Sequence, residues 1–215
     1  LNGEVNVTGQ KFPFTLTTPQ EPQPLITSVV NGASFDQNQP LAPGAIFSLF
    51  GKNLGAPENS KGWPLPRKLG GTKVTICGVD ASLFVNTGPM TRADGGGQLW
   101  QINGEVPLAA SFQSSCEVVI TVDQKPPMTA LMAKSSVKIS SKPEETLALF
   151  TFTGFHPNGA QTQEPIITNQ RGQFIAPPGV SIPGTDPVMF TQARACEVIS
   201  LWSTGGGGTI ARVAD

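Results

Sequence analysis

One histidine, no Cys-x-x-Cys pair, few charges and no long apolar run mark this 215-residue chain, and each scarcity removes a class of function. Charged residues make up 13% and the formal net charge is −1. Phosphate neutralisation needs a clustered excess of Lys and Arg, and the longest basic cluster is Arg67-Lys68, so neither nucleic acid nor an anionic membrane surface is an expected partner. No apolar run approaches the roughly twenty residues of a spanning helix, so the expectation is no membrane span and no signal peptide.

Cys77, Cys116 and Cys196 match no metal or redox spacing, and with His156 as the single histidine neither a zinc site nor any other cofactor is expected. Cys77 and Cys116 fall in two strands of one domain. They either pair as a disulfide in an oxidising compartment or remain buried thiols, and the sequence leaves both open. Cys196 is left over as a free thiol. His156, in GFHPNG, reads as an exposed turn residue without a nucleophile or acidic pair beside it. There is no G-x-S-x-G elbow, and Glu144-Glu145, read as strand neighbours, point to opposite faces and cannot pair as acid and base. The runs Gly95 to Gly97 and Gly205 to Gly208 lack a following Lys-Ser or helix, so they are turns rather than phosphate cradles. Asp94 lacks the acidic spacing of a calcium loop. No enzymatic activity is expected.

What the chain does have is glycine (24) and proline (20) together with 38% hydrophobic residues, the composition of an ordered, loop-rich β-protein. It is organised around the stretch from Pro24 to Gly55. Ile26 to Val30 reads as a strand, Asn31-Gly32 as a turn and Ala42-Pro43-Gly44 as a type II turn. The apolar strand Ala45 to Gly51 follows. A degraded copy runs from Pro165 to Gly208: IITNQRGQF stands for VVNGASF, and ACEVISLWSTGGGG for APGAIFSLFGKNLG, with Ser200-Leu201-Trp202 on Ser48-Leu49-Phe50.

Taken in order, residues 1–22 form a β-hairpin turning at Thr8-Gly9, followed by a proline-rich connector, TPQEPQP, that favours extended structure. Residues 23–141 form a first β-sandwich. In it Thr72 to Cys77 and Ala81 to Val85 are partner strands, Asn86 to Gly97 is a mobile surface excursion, and Cys116 to Val122 and Ser135 to Ile139 are strands. Residues 142–215 form a second, partial sandwich that stops where the hairpin VTICGVDASLFV of the first unit would begin. Such a half exposes an apolar face and an unpaired edge. VNVTGQKFPFTLT, from Val5, can be laid on VTICGVDASLFVN, from Val74, with Gly9 on Gly78. The N-terminal hairpin, through Val5, Val7, Phe12, Phe14 and Leu16, is therefore the candidate for the missing half, supplied by its own chain or by a neighbour.

VVNGASF, APGAIFSLFGKNLG, LPRKLGGTKVTICGVDASLF and QINGEVP, in that order, resemble the Solibacter-type C-terminal module of large secreted acidobacterial proteins. The resemblance covers roughly residues 24 to 208. It implies an extracellular pair of immunoglobulin-like sandwiches without assigned activity, usually the tail of a longer protein. The chain departs from that pattern in its long Asn86 to Gly97 link and its incomplete second unit, which puts autonomous folding of residues 142–215 in doubt.

The expected fold is thus all-β, in tandem immunoglobulin-like sandwiches, and the expected function is that of a non-enzymatic extracellular or cell-surface structural protein. It would assemble with itself head to tail by β-strand donation. The alternative is a carbohydrate- or surface-binding module of a larger secreted protein. Of the three tryptophans, Trp202 aligns with Phe50 and is expected in the core, whereas Trp63, between Gly62 and Pro64, is the one expected to be exposed and to meet a ligand.

Overall fold

The computed structural model describes residues 2–15, 22–91, 95–109, 114–124, 129–182, 190–192 and 199–204. Leu16, Asp94, Cys196 and Gly205 to Gly208 lie outside the described residues, as does most of the proline-rich connector.

The chain starts with a hairpin of β1 (Asn2–Val7) and β2 (Gln10–Thr15). Thr8 and Gly9 both have positive φ, 49° and 85°, which makes the two-residue turn whose twist matches that of its flanking strands. Val5 pairs with Phe12 and Gly3 with Phe14. The alternation of the ladder therefore places positions 5, 7, 12 and 14 on one face and Glu4 and Lys11, joined by a 3.2 Å ion pair, on the other. Among the described strands the hairpin pairs only with itself.

Ten strands then build a β-sandwich: β3 (Leu25–Asn31), β4 (Ile46–Lys52), β5 (Glu58–Asn59), β6 (Lys68–Leu69), β7 (Thr72–Ile76), β8 (Val79–Asp80), β9 (Ser82–Thr91), β10 (Gln98–Glu105), β11 (Ser115–Val122) and β12 (Leu131–Lys138). One sheet has the order β3-β4-β10-β9-β5 and the other β12-β11-β7-β6, with β8 attached to β7. Strict alternation decides which side chains go inside: β7 buries Thr72, Val74 and Ile76, and β11 buries Cys116, Val118, Ile120 and Val122. These meet Phe47 and Leu49 of β4, Leu83 of β9 and Ile102 of β10 in one core.

Two expectations need correction. Ala81 to Val85 does not return beside Thr72 to Cys77. Only Val79 and Asp80 pair back, with Ile76 and Thr75, and from Ser82 the chain crosses to the opposite sheet as β9. Alternation marks a strand's inward face but not the sheet it joins. Nor is Asn86 to Gly97 a loop throughout, since residues 86–91 continue β9 against β10. Gly88-Pro89 sits where the register shifts between Leu99 and Gln101, and a bulge tolerates a proline that has no N–H to give the ladder. The same dipeptide reads as a loop in sequence because bulges and loops share their chemistry.

A single helical turn, α1 (Pro143–Thr146), leads to the second unit, so Glu144-Glu145 are helical and not strand neighbours. Glu145 accepts from Ser140 Oγ at 2.6 Å and from Lys142 Nζ at 3.0 Å. The hydroxyl first and the ammonium second hold its carboxyl below the usual range. Eight short strands follow: β13 (Ala148–Leu149), β14 (Thr151–Phe155), β15 (Gln161–Pro165), β16 (Ile167–Asn169), β17 (Phe174–Ile175), β18 (Phe190–Thr191), β19 (Ile199–Leu201) and β20 (Ser203–Thr204). They pair as β13-β20, β14-β15 and a sheet β18-β17-β16-β19. Phe152, Phe174 and Phe190 make a small aromatic cluster with ring centroids 5.7–6.0 Å apart.

The fully buried Phe47 supports both strand neighbours of β4. Phe47→Ala is expected to lower unfolding free energy by about 3–5 kcal/mol with an unchanged denaturant slope, read by guanidinium titration.

Candidate functional site

The internal repeat becomes physical in the strand register. In the first unit Val29 pairs with Leu49, Val30 with Ser48 and Asn31 with Phe47. In the second, Ile167 pairs with Leu201, Thr168 with Ser200 and Asn169 with Ile199. With Ser200-Leu201-Trp202 on Ser48-Leu49-Phe50, all three pairs coincide. The turn after each first strand also repeats. Asn31 Oδ1 accepts from the Ala33 N–H at 2.9 Å, and Asn169 Oδ1 from the Arg171 N–H at 2.9 Å, the side chain closing its own turn two residues on.

The two copies differ in what covers them. Phe47 and Leu49 are 0% exposed, beneath a second sheet, whereas their counterparts Ile199 and Leu201 are 51% and 53% exposed. Leu147, Leu149 and Trp202, also in the second unit, are exposed as well. The expectation that Trp202 lies in the core is overturned, since it is 54% exposed; its counterpart Phe50 points away from the Phe47 and Leu49 face and is itself only partly buried. The Trp202 indole Nε1–H donates to Thr168 Oγ1 of the neighbouring strand at 3.1 Å. Among the described strands β19 is the edge of its sheet, whereas β4 is flanked on both sides.

The N-terminal hairpin has a matching counterpart. Its turn, Thr8-Gly9, repeats Cys77-Gly78 in sign of φ (49° and 85°; 55° and 76°) and in register, since Val7 pairs with Gln10 as Ile76 pairs with Val79. On that alignment Val5, Val7, Phe12 and Phe14 fall on Val74, Ile76, Ala81 and Leu83, all fully buried in the first sandwich. Val5 and Phe12 themselves are 49% and 51% exposed. The chain therefore carries an apolar hairpin face that nothing described covers and an apolar sheet face in the same condition.

Cys77 and Cys116 are joined in a disulfide, the first of the two states the sequence left open. Cys77 occupies the β7–β8 turn, and its N–H donates to Glu117 O at 3.1 Å, so the bridge ties that turn to β11 across 39 residues of chain. Trp63 is 79% exposed in the loop between β5 and β6. It lies in an open pocket of about 360 Å³ with Glu58, Asn59, Lys61 and Pro66. Trp100, by contrast, is buried with its Nε1–H on Gly55 O at 3.1 Å. Asn103 Oδ1 accepts from both Gln101 Nε2 and Ser48 Oγ, as expected of satisfied strand groups.

His156 is half-buried rather than an exposed turn residue, because β14 and β15 close around it. Thr162 Oγ1 donates to Glu164 Oε1 at 2.5 Å and lies 2.7 Å from His156 Nε2. His156 Nε2 also lies 3.4 Å from Glu164 Oε1, so the three side chains form one small polar cluster at the β14–β15 turn. Among the described residues no group of three or more His, Cys, Asp or Glu is placed to hold a metal ion.

Two side chains and a backbone N–H of the first unit also fasten the second. Asn31 Nδ2 donates to Thr146 O at 3.1 Å, Gln39 Nε2 to Leu147 O at 3.2 Å, and the Ile46 N–H to Thr204 Oγ1 at 2.7 Å. Asn31 is fully buried, so its amide serves two purposes at once, closing its own turn and gripping the neighbouring unit. No helix among the described residues is long and apolar enough to cross a membrane. No protein-family model, curated protein or solved structure matches the chain.

Removing the disulfide through Cys77→Ala with Cys116→Ala is expected to cost about 4 kcal/mol, from the closure entropy of its loop, measured against the wild type with and without reductant. Asn31→Leu removes the acceptor of the Ala33 N–H and the amide donor to Thr146 O. It is expected to cost about 2–4 kcal/mol in thermal unfolding and to raise proteolysis within residues 142–182 before global unfolding.

Proposed function

We propose that this is a non-enzymatic structural protein of the cell exterior whose copies join head to tail. The β1–β2 hairpin of one copy covers the β16–β19 face of the next. The observation that carries the reading is the double match already described. The hairpin repeats the turn, register and apolar positions of β7–β8 and the start of β9, and the bare face repeats positions of β4 that share one core with β7. Each half of the interface is thus a piece of one sandwich core, separated by most of the chain.

Burying Val5, Val7, Phe12 and Phe14 contributes roughly 1.5–3 kcal/mol each, on the order of 6–12 kcal/mol together. Association costs about 4–15 kcal/mol, so burial of the hairpin alone balances marginally. Reciprocal cover of Ile199 and Leu201 tips the balance towards assembly at micromolar concentration. The contact is heterologous, hairpin to sheet face, and a heterologous contact that does not close by rotation propagates as a filament. The disulfide supports an oxidising, extracellular setting, where such bonds persist. The motif run shared with secreted acidobacterial modules points the same way, towards immunoglobulin-like sandwiches.

Size-exclusion chromatography with negative-stain microscopy at low micromolar protein checks the reading. Wild type is expected to give regular filaments or an oligomer ladder, and deletion of residues 1–22 to give monomers. Val5→Glu with Phe12→Glu, which leaves the backbone hairpin in place, is expected to shift assembly at least tenfold in concentration. Polymers that survive the deletion, or a wild type that stays monomeric at high concentration, overturn it.

A further inference from the structure

The Trp63 loop stands apart from the assembly surfaces, in the first sandwich, and nothing in the reading above uses it. An indole left 79% exposed forfeits most of the burial a tryptophan offers a fold, while the other two tryptophans each bond their indole N–H to protein. Trp63 Nε1–H has no such partner among the described residues. The loop that presents it is nevertheless held firmly. The Ser60 N–H donates to Phe84 O at 2.8 Å, and Ser60 Oγ donates to Gly62 O at 3.1 Å, bracing the turn immediately before the ring. Glu58 Oε2 accepts the Gly70 N–H at 2.6 Å, which fixes the carboxylate of a residue that lines the pocket.

We infer that Trp63 is the stacking platform of a binding site for neutral pyranose sugars, with Glu58, Asn59 and Lys61 as the groups that hydrogen-bond the ring hydroxyls. A pyranose presents an apolar C–H face bordered by hydroxyls that both donate and accept. The pocket offers the complement, one open aromatic face with a carboxylate, an amide and an ammonium around it. Its volume of about 360 Å³ falls within the roughly 300–1,000 Å³ of small-molecule sites. Charges of both signs line it, which disfavours a strongly anionic ligand. Grooves that seat proline-rich peptides are lined by several aromatic residues, whereas this pocket has a single one, so sugar is the better occupant.

The test is intrinsic fluorescence and isothermal titration of the full-length protein against cellohexaose, laminarihexaose, xylohexaose, mannohexaose and chitohexaose. The synthetic peptide Thr-Pro-Gln-Glu-Pro-Gln-Pro serves as the competitor class. At least one oligosaccharide is expected to bind with a sub-millimolar Kd. Trp63→Ala should weaken it at least tenfold, Trp63→Phe less, and Trp202→Phe by no more than twofold. Asn59→Ala, on an exposed edge where folding is not at risk, should weaken it about threefold or more. Binding by none of the five sugars, binding indifferent to Trp63→Ala, or saturable binding of the peptide instead each overturns the assignment. Filament formation is unaffected by Trp63→Ala if the two surfaces are independent, so failure here leaves the assembly reading standing.

Discussion

The apolar face of β4 needs a second sheet above it, and the rest of the molecule follows from how that need is met. In the first unit the second sheet shares one core with Phe47 and Leu49, and both are fully buried. In the second unit the same register of strands and the same asparagine-closed turn are present, but Ile199 and Leu201 stand half in solvent. Local hydrogen bonding suffices to form the strand pair. It does not suffice to bury it, because burial requires a partner surface from elsewhere in the chain or from another chain.

That contrast explains the fastening between the units. Among the described residues the second unit has a modest interior, three phenylalanines and a few small residues, so polar groups of the first unit contribute to its position. Asn31, Gln39 and the Ile46 N–H reach across to Thr146, Leu147 and Thr204. A buried amide of this kind is costly to leave unpaired, which makes the arrangement specific even where the apolar contact is small. The hairpin exposes Val5 and Phe12, whose counterparts Val74 and Ala81 are fully buried in the first sandwich.

Much of this was legible residue by residue. Alternation located β7, β11 and β12, because a strand with one wet face writes its period into the sequence. Thr8-Gly9 and Ala42-Pro43-Gly44 marked turns, since positive φ restricts the residues that can occupy them. The repeat was legible too, down to which serine stands for which. Less legible were the places where one local pattern serves two purposes. Gly88-Pro89 reads as a loop and forms a bulge, Ala81 to Val85 reads as a hairpin return and joins the other sheet, and His156 reads as exposed and is enclosed by the β14–β15 pair. Of the site residues, Trp63 declared itself by its Gly and Pro neighbours, whereas the polar rim around it did not, because Glu58 and Lys61 are unremarkable until the loop folds them beside the ring.

The sequence by itself determined the class of the fold, the positions of the strands and turns, the repeat and the apolar character of the hairpin, because these depend on dihedral preference and on periods of two residues. Only the tertiary structure decided which sheet each strand joins, that Cys77 meets Cys116, that Trp202 lies outside, and which apolar faces are left bare. Those outcomes depend on contacts between residues far apart in the chain, and the free energy of burial is blind to sequence distance.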